Sequence, residues 1–148
     1  MPVSSGGTGL SITPQLVATT SSTSISSTIT TVIFTTTSYD NYSAYNSATG
    51  KYTVPVSGMY NITASIIYNS TSIGTGGVQV LYIKVNSTTY MIDRQNYQSY
   101  SNITIGHNGS LNMRLSANDT VEIQAYNNTT TSLNNTNNNI FSLAWIGN

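Results

Sequence analysis

The stretch GKYTVPVSGMYNITASI, Gly50 to Ile66, reads as two β-strands parted by a proline and a glycine three residues apart. Pro55 has no N–H to give a central ladder, which suits the end of a strand, and Gly58 permits the backbone angles of a tight reversal. PVSG is therefore read as a corner from which a long strand departs. Along that strand Tyr60, Ile62, Ala64, Ile66 and Tyr68 point one way. Asn61, Thr63, Ser65 and Asn69 point the other, with Ile67 the exception.

The same alternation recurs downstream. LNMRL turns Leu111, Met113 and Leu115 inward, TVEIQAY does so with Val121, Ile123 and Ala125, and IFSLAWIG with Phe141, Leu143 and Trp145. VQVLYIKV, Val78 to Val85, is apolar on both faces, as in a strand covered on both sides. Turn clusters separate these runs: SYDNYSAYNSATG, NSTSIGTGG, GHNG, SAND and NNTTTSLNNTNNN. No helical periodicity and no long internal repeat is present. Eight or more strands without a helix predict an all-β antiparallel sandwich.

Composition narrows the function. In 148 residues there are four basic and four acidic side chains, which leaves no cationic surface for nucleic acid. Ser, Thr, Asn and Tyr number 22, 24, 18 and 11, half the chain, so the exterior is read as uncharged and rich in hydroxyls and amides. Cysteine is absent, and with it any disulfide framework. Neither a signal peptide nor a run of apolar residues long enough to span a membrane is visible. A route outside the cell other than ordinary secretion, such as release inside a virus particle at lysis, is expected. Residues 1–14 are read as a flexible Gly/Ser-rich leader or shaft junction and 15–148 as the head domain. GGTGL lacks the Lys and the strand–helix setting of a phosphate loop. It resembles the Gly-Gly-Thr-Gly segments near domain junctions of phage tail fibres.

The segment YDNYSAYNSATGKYTVPVSGMYNI resembles the signature of the complement globular-head family, a branch of the tumour-necrosis-factor-like jelly rolls. The matching residues are Tyr39–Asp40, Thr49–Gly50, Tyr52, Pro55, Gly58 and Tyr60. LNMRLSANDTVEIQA and FSLAWIG are similar to later strands of that family, so the likeness spans Ile29 to Gly147. It departs at Ile62, where the family usually has Phe, and at Leu143, where it usually has Gly. The resemblance implies a jelly-roll β-sandwich of about ten strands, assembled as a homotrimer, often at the tip of a fibrous stalk.

Catalytic chemistry finds little material. The acids are Asp40, Asp93, Asp119 and Glu122. A glycosidase needs two carboxylates flanking one bond, and Asp119 and Glu122 would face opposite sides of a strand. Asp119 is read as a turn residue and Glu122 as an exposed partner of a cation. His107, in GHNGS, is read as a solvent-exposed loop residue rather than the base of Ser110. Neither it nor Asp40 or Asp119 has the neighbours of a strong metal site. No cofactor is expected.

Binding is the remaining class. Tyr, Ser, Asn and Gly make adaptable recognition loops, and Tyr42, Tyr45, Tyr97 and Tyr100 are candidates to stack on sugar rings; the alternative is that they fill subunit contacts. Ten Asn-x-Ser/Thr sequons are possible glycosylation sites: Asn41, Asn61, Asn69, Asn86, Asn102, Asn108, Asn118, Asn127, Asn128 and Asn134. The functional expectation is a non-enzymatic trimeric head of a fibre or spike on a virion surface. It would join other virion proteins through the leader and engage a host receptor or glycan. Alternatives are a capsid decoration or turret protein, or a cellular lectin-like module.

Overall fold

The computed structural model describes residues 12–148 apart from 21, 22, 74, 130 and 135–137, and of 70–72 and 100 the backbone alone. The leader up to residue 11 lies outside the described residues. Thirteen strands and no helix form among those described. They are β1 (Gln15–Thr20), β2 (Ser24–Ile25), β3 (Thr30–Thr31), β4 (Thr36–Asp40), β5 (Tyr45–Asn46), β6 (Lys51–Thr53), β7 (Gly58–Ile73), β8 (Gly77–Val85), β9 (Thr88–Tyr97), β10 (Tyr100–Leu115), β11 (Thr120–Asn127), β12 (Thr131–Ser132) and β13 (Asn139–Gly147).

One sheet has the order β10-β7-β13-β1-β4, and the other β5-β6-β11-β8-β9 with β3 also paired to β11. β12 and β2 form a separate two-stranded ribbon. All these pairings are antiparallel. The expected jelly-roll sandwich is thus the observed fold, with eleven strands in the two facing sheets, β3 and β5 being pieces of two residues each.

β7 organises the interior. Tyr60, Ile62, Ala64, Ile66 and Tyr68 are completely buried between the sheets. Burying each of the large ones is worth about 1.5–3 kcal/mol. Val121, Ile123 and Ala125 of β11 and Leu81 and Ile83 of β8 meet this row from the opposite sheet, and Phe34 and Phe141 join the same core. Leu115 is buried as expected, whereas Leu111 and Met113 are half-buried because β10 is an edge strand.

The Pro-Gly corner forms as predicted, and its glycine combines a positive φ of 157° with a close approach to the last strand. The ladder runs through Val54, whose N–H donates to the Asp119 carbonyl and whose carbonyl accepts from Asn118, both at 2.8 Å. It stops at Pro55. Gly58 opens β7 rather than making the reversal, and a Cβ there would strike the Trp145 indole and lie 2.7 Å from the Gly147 carbonyl oxygen. The indole Nε1 in turn donates to the Ser57 carbonyl at 3.4 Å, and the Tyr60 hydroxyl donates to the Val56 carbonyl at 2.5 Å. The missing side chain at residue 58 makes room for the last strand.

Four sequence readings are corrected. GHNG is not a turn but the middle of β10, paired with β7 from Gly106 opposite Ile67 to Gly109 opposite Ala64. Most of NSTSIGTGG is strand, since β7 runs to Ile73. β8 is only partly covered on its outer face: Leu81 and Ile83 are buried inward and Val80 is buried outward, while Val78 and Tyr82 are partly open to solvent. Ile12 to Pro14, assigned to the leader, are bonded to the head, with the carbonyls of Ile12, Thr13 and Pro14 accepting from the Tyr42 hydroxyl, the Asn41 amide and the Trp145 N–H.

Gly58→Ala is expected to lower stability by about 1–3 kcal/mol through overpacking, to which the positive φ of 157° adds backbone strain. Gly106→Ala, whose Cβ would meet nothing nearer than 3.8 Å, is expected to be neutral or to gain up to about 1 kcal/mol. Urea denaturation at one fixed protein concentration checks both; equal effects would contradict the steric reading of Gly58.

Candidate functional site

The first tyrosine cluster forms an ordered loop between β4 and β5. Asp40 holds it, accepting the Tyr45 N–H at 2.8 Å and the Tyr42 N–H at 3.4 Å, so its carboxylate closes its own turn. The Tyr45 hydroxyl accepts the Phe34 N–H at 3.0 Å, and its ring packs edge-on against Phe141. Burial raises its pKa. Tyr42 is tied to the Ile12 carbonyl at 2.9 Å. These rings brace the loop. The exposed aromatic is Tyr39, 47 % accessible, which shares a shallow surface cleft of about 470 Å³ with Thr37, Asp40, Asn41 and Ser43. Sequence reading passed over Tyr39 because it weighed loop density rather than which face of β4 the ring occupies.

The second cluster does not offer its ring either. Tyr97 is 8 % exposed and packs with Ile73 and Ile105, its hydroxyl donating to Gln95 Oε1 at 2.7 Å. Tyr100 lies at the start of β10, and its side chain is outside the described residues.

A different surface emerges on the outward face of the six-stranded sheet. Register puts Tyr126 opposite Val80 and Val80 opposite Arg94, in one row across β11, β8 and β9. The adjacent row sets Tyr82 against Met91. Together with Ile29 and Val78, the side chains of Tyr126, Val80, Arg94 and Tyr82 line a groove of about 320 Å³. Ile29 and Met91 are more than half exposed. The signal in the sequence was the two-sided apolarity of Val78 to Val85, read there as a strand with two covers.

The opposite outward face, on the five-stranded sheet, carries small uncharged side chains across its central strands, with Arg114 on the edge strand β10. One row reads Tyr39, Val17, Ser142, Thr63, Ser110, and the next Gln15, Ala144, Asn61, Asn112. Exposed Val17, Tyr39 and Ile146 add apolar area to it.

The sequons sort by what their amide nitrogens do. Asn127 is fully buried. The amides of Asn41, Asn61, Asn69, Asn86 and Asn128 donate to Thr13, Asn112, Ser132, Asp119 and Gly76. Asn134 is half-buried, and the rest of its sequon lies outside the described residues. Asn102, Asn108 and Asn118 are exposed; Asn102 and Asn118 stand at left-handed backbone positions (φ 54° and 73°).

The acids serve structure. Asp119 sits in the turn before β11 as expected, accepting the Ser116 N–H at 2.7 Å and the Asn86 amide at 2.9 Å, and these bonds lower its pKa. Glu122 does pair with a cation, Lys84 at 2.8 Å, but it is 5 % exposed rather than on open surface and also accepts from Thr31 at 3.0 Å.

His107 is the largest departure from expectation: completely buried, on the inward face of β10, with no contact to Ser110. Nδ1 lies 2.9 Å from Asp93 Oδ2, close but off the line of an N–H bond, and Nε2 lies 3.0 Å from the Gln79 side-chain oxygen. Gln79 also meets the Tyr97 hydroxyl at 3.2 Å, while its amide nitrogen is buried without a partner. Tyr68 covers the ring edge-on at 5.6 Å. Burial lowers the His107 pKa, against the opposing pull of Asp93.

A pKa below the ordinary 6.5 means that the unfolded chain binds a proton before the folded one does. Stability from this group is therefore present above about pH 6.5 and is lost as pH falls through the folded value. The urea midpoint is expected to drop between pH 7 and pH 5, and His107→Gln to flatten that slope. An unchanged slope in the variant would contradict the assignment.

The C1q domain family profile matches residues 16–143, nearly the whole head. No curated protein sequence matches the chain. Among solved structures the chain is similar to the globular domain of zebrafish complement 1qA, with TM-score 0.63 and 14 % identity over 91 % of this chain and 99 % of that one. It is similar also to murine APRIL, with TM-score 0.64 and 12 % identity over 91 % and 100 %. The Eiger TNF of S. frugiperda follows the same path at TM-score 0.61 and 16 % identity, over 93 % of each chain. Identities this low speak for fold alone. With the corner residues Pro55, Gly58 and Tyr60 in place and the family profile spanning both sheets, the chain belongs to the C1q domain family.

Proposed function

We propose that this chain is the homotrimeric, non-catalytic head of a fibre or spike on a virus particle, and that it engages a receptor or glycan on the host surface. The observation that carries the assembly is the outward face of the five-stranded sheet. Across its central strands it presents Thr, Ser, Asn, Ala and Val without a charge, together with exposed Val17 and Ile146. A neutral face of small side chains allows two backbones to approach closely, and burying it in a symmetric oligomer removes apolar area from water. Membership of the C1q domain family supports the same assembly.

The non-catalytic reading draws on the bonding of the acids and of His107. Asp40 and Asp119 each accept backbone N–H groups, Glu122 is paired with Lys84, and Asp93 faces the buried His107. The viral reading is supported by an exterior with four basic and four acidic residues, dominated by Asn, Ser, Thr and Tyr.

Light scattering is expected to give about three times the chain mass of 15.8 kDa; a monomer at micromolar concentration would sink the assembly. The purified head is expected to compete with particles for attachment to host cells. A trimer that does not compete, and binds only particle proteins, would favour capsid decoration instead. In material from a glycosylating host, peptide mass spectrometry is expected to find glycans at Asn102 and Asn118 and none at Asn127; an unmodified mass would end the glycoprotein reading.

A further inference from the structure

We propose that the groove on the outward face of the six-stranded sheet is a binding site for a sugar bearing a carboxylate. This rests on the head being a surface-binding module and supplies the chemistry of what it binds. Tyr126, Val80 and Arg94 form one row across three strands, with Tyr82 beside it and Ile29 at the rim. The aromatic and aliphatic side chains supply a platform of the kind that the ring carbons of a pyranose stack on.

Arg94 supplies the charge preference. It is exposed, and its Nε donates to Asn96 Oδ1 at 3.3 Å, which fixes the stem of the side chain. Among the described residues its terminal nitrogens have no ion pair or hydrogen bond. No acid lines the groove. A guanidinium presents a planar fork of donors that matches one carboxylate in two-point contact. A neutral sugar would leave that fork to water.

Size and direction argue against a protein partner. The groove is about 320 Å³, at the lower end of the range for small-ligand sites. It runs across the strands on a sheet face, from Tyr126 over Val80 to Arg94, whereas an extended peptide gains its affinity by lying along a sheet edge.

The test compares methyl glucuronide with methyl glucoside, which differ at the carboxylate, by amide NMR titration of the full chain. The glucuronide is expected to shift Val78, Val80, Arg94 and Tyr126 in a saturable way, with the glucoside about ten-fold weaker. Arg94→Gln should bring the glucuronide down to the glucoside level at an unchanged melting temperature, and Tyr126→Ala should weaken both sugars. Equal response to the two sugars, no response to either, an unaffected Arg94→Gln variant, or tighter binding of a capped tetraglutamate peptide would each overturn the proposal. If glucuronide does not bind while the head still blocks cell attachment, the groove proposal fails and the attachment reading stands. If binding depends on Arg94 but the variant still blocks attachment, the site stands and attachment runs through another surface.

Discussion

The inward row of β7 is the constraint on which the rest of the molecule depends. Tyr60, Ile62, Ala64, Ile66 and Tyr68 put every second side chain of a long strand into the gap between the sheets, completely buried. Because strand side chains alternate, a shift of one residue would turn this whole row outward and carry the Asn and Thr of the other face into the core. The tyrosines at its two ends add polar anchors: Tyr60 donates to the Val56 carbonyl, and Tyr68 donates to the Tyr126 carbonyl across the sandwich at 3.4 Å. Burial pushes the Tyr60 pKa up to about 12. The corner at Pro55 and Gly58 then fixes where the row begins.

From this frame follow two outward faces of opposite character. One carries small uncharged side chains across its central strands, suited to contact with another copy of the chain. The other carries tyrosines, valines and Arg94, suited to contact with something smaller. With four basic and four acidic residues in the whole chain, long-range steering contributes little, and recognition must come from shape, aromatic area and single hydrogen-bonding groups.

The fold was legible in the sequence wherever one face of a strand is buried and the other wet. The alternation in β7, β11 and β13 says where the core lies, and the departures from the family pattern prove informative. Ile62 and Leu143 are directly opposed in register, and both are buried. A smaller residue than Phe on one strand faces a larger one than Gly on the next, so the pair conserves volume in the core. The site was less legible. Clusters of Tyr and Asn mark a loop but not the direction of its rings, and Tyr45 and Tyr97 turn inward to satisfy hydrogen bonds. His107 sits among Gly, Asn and Ser, which read as a turn; its membership of a strand is decided by the long partner β7 on the other side. The groove depends on cross-strand neighbours from β8, β9 and β11, which no single stretch of chain contains.

The absence of cysteine allows a direct test of which sheet lies inside the assembly. Ser110 on the five-stranded sheet and Thr89 in β9 of the other sheet are both exposed in the single chain. A cysteine placed at each in turn would be reacted with a maleimide in the assembled head. The Ser110→Cys thiol is expected to react much more slowly than Thr89→Cys and to become equally reactive once the subunits separate. Equal rates in the intact head, or protection at residue 89 instead, would contradict assembly through the five-stranded face.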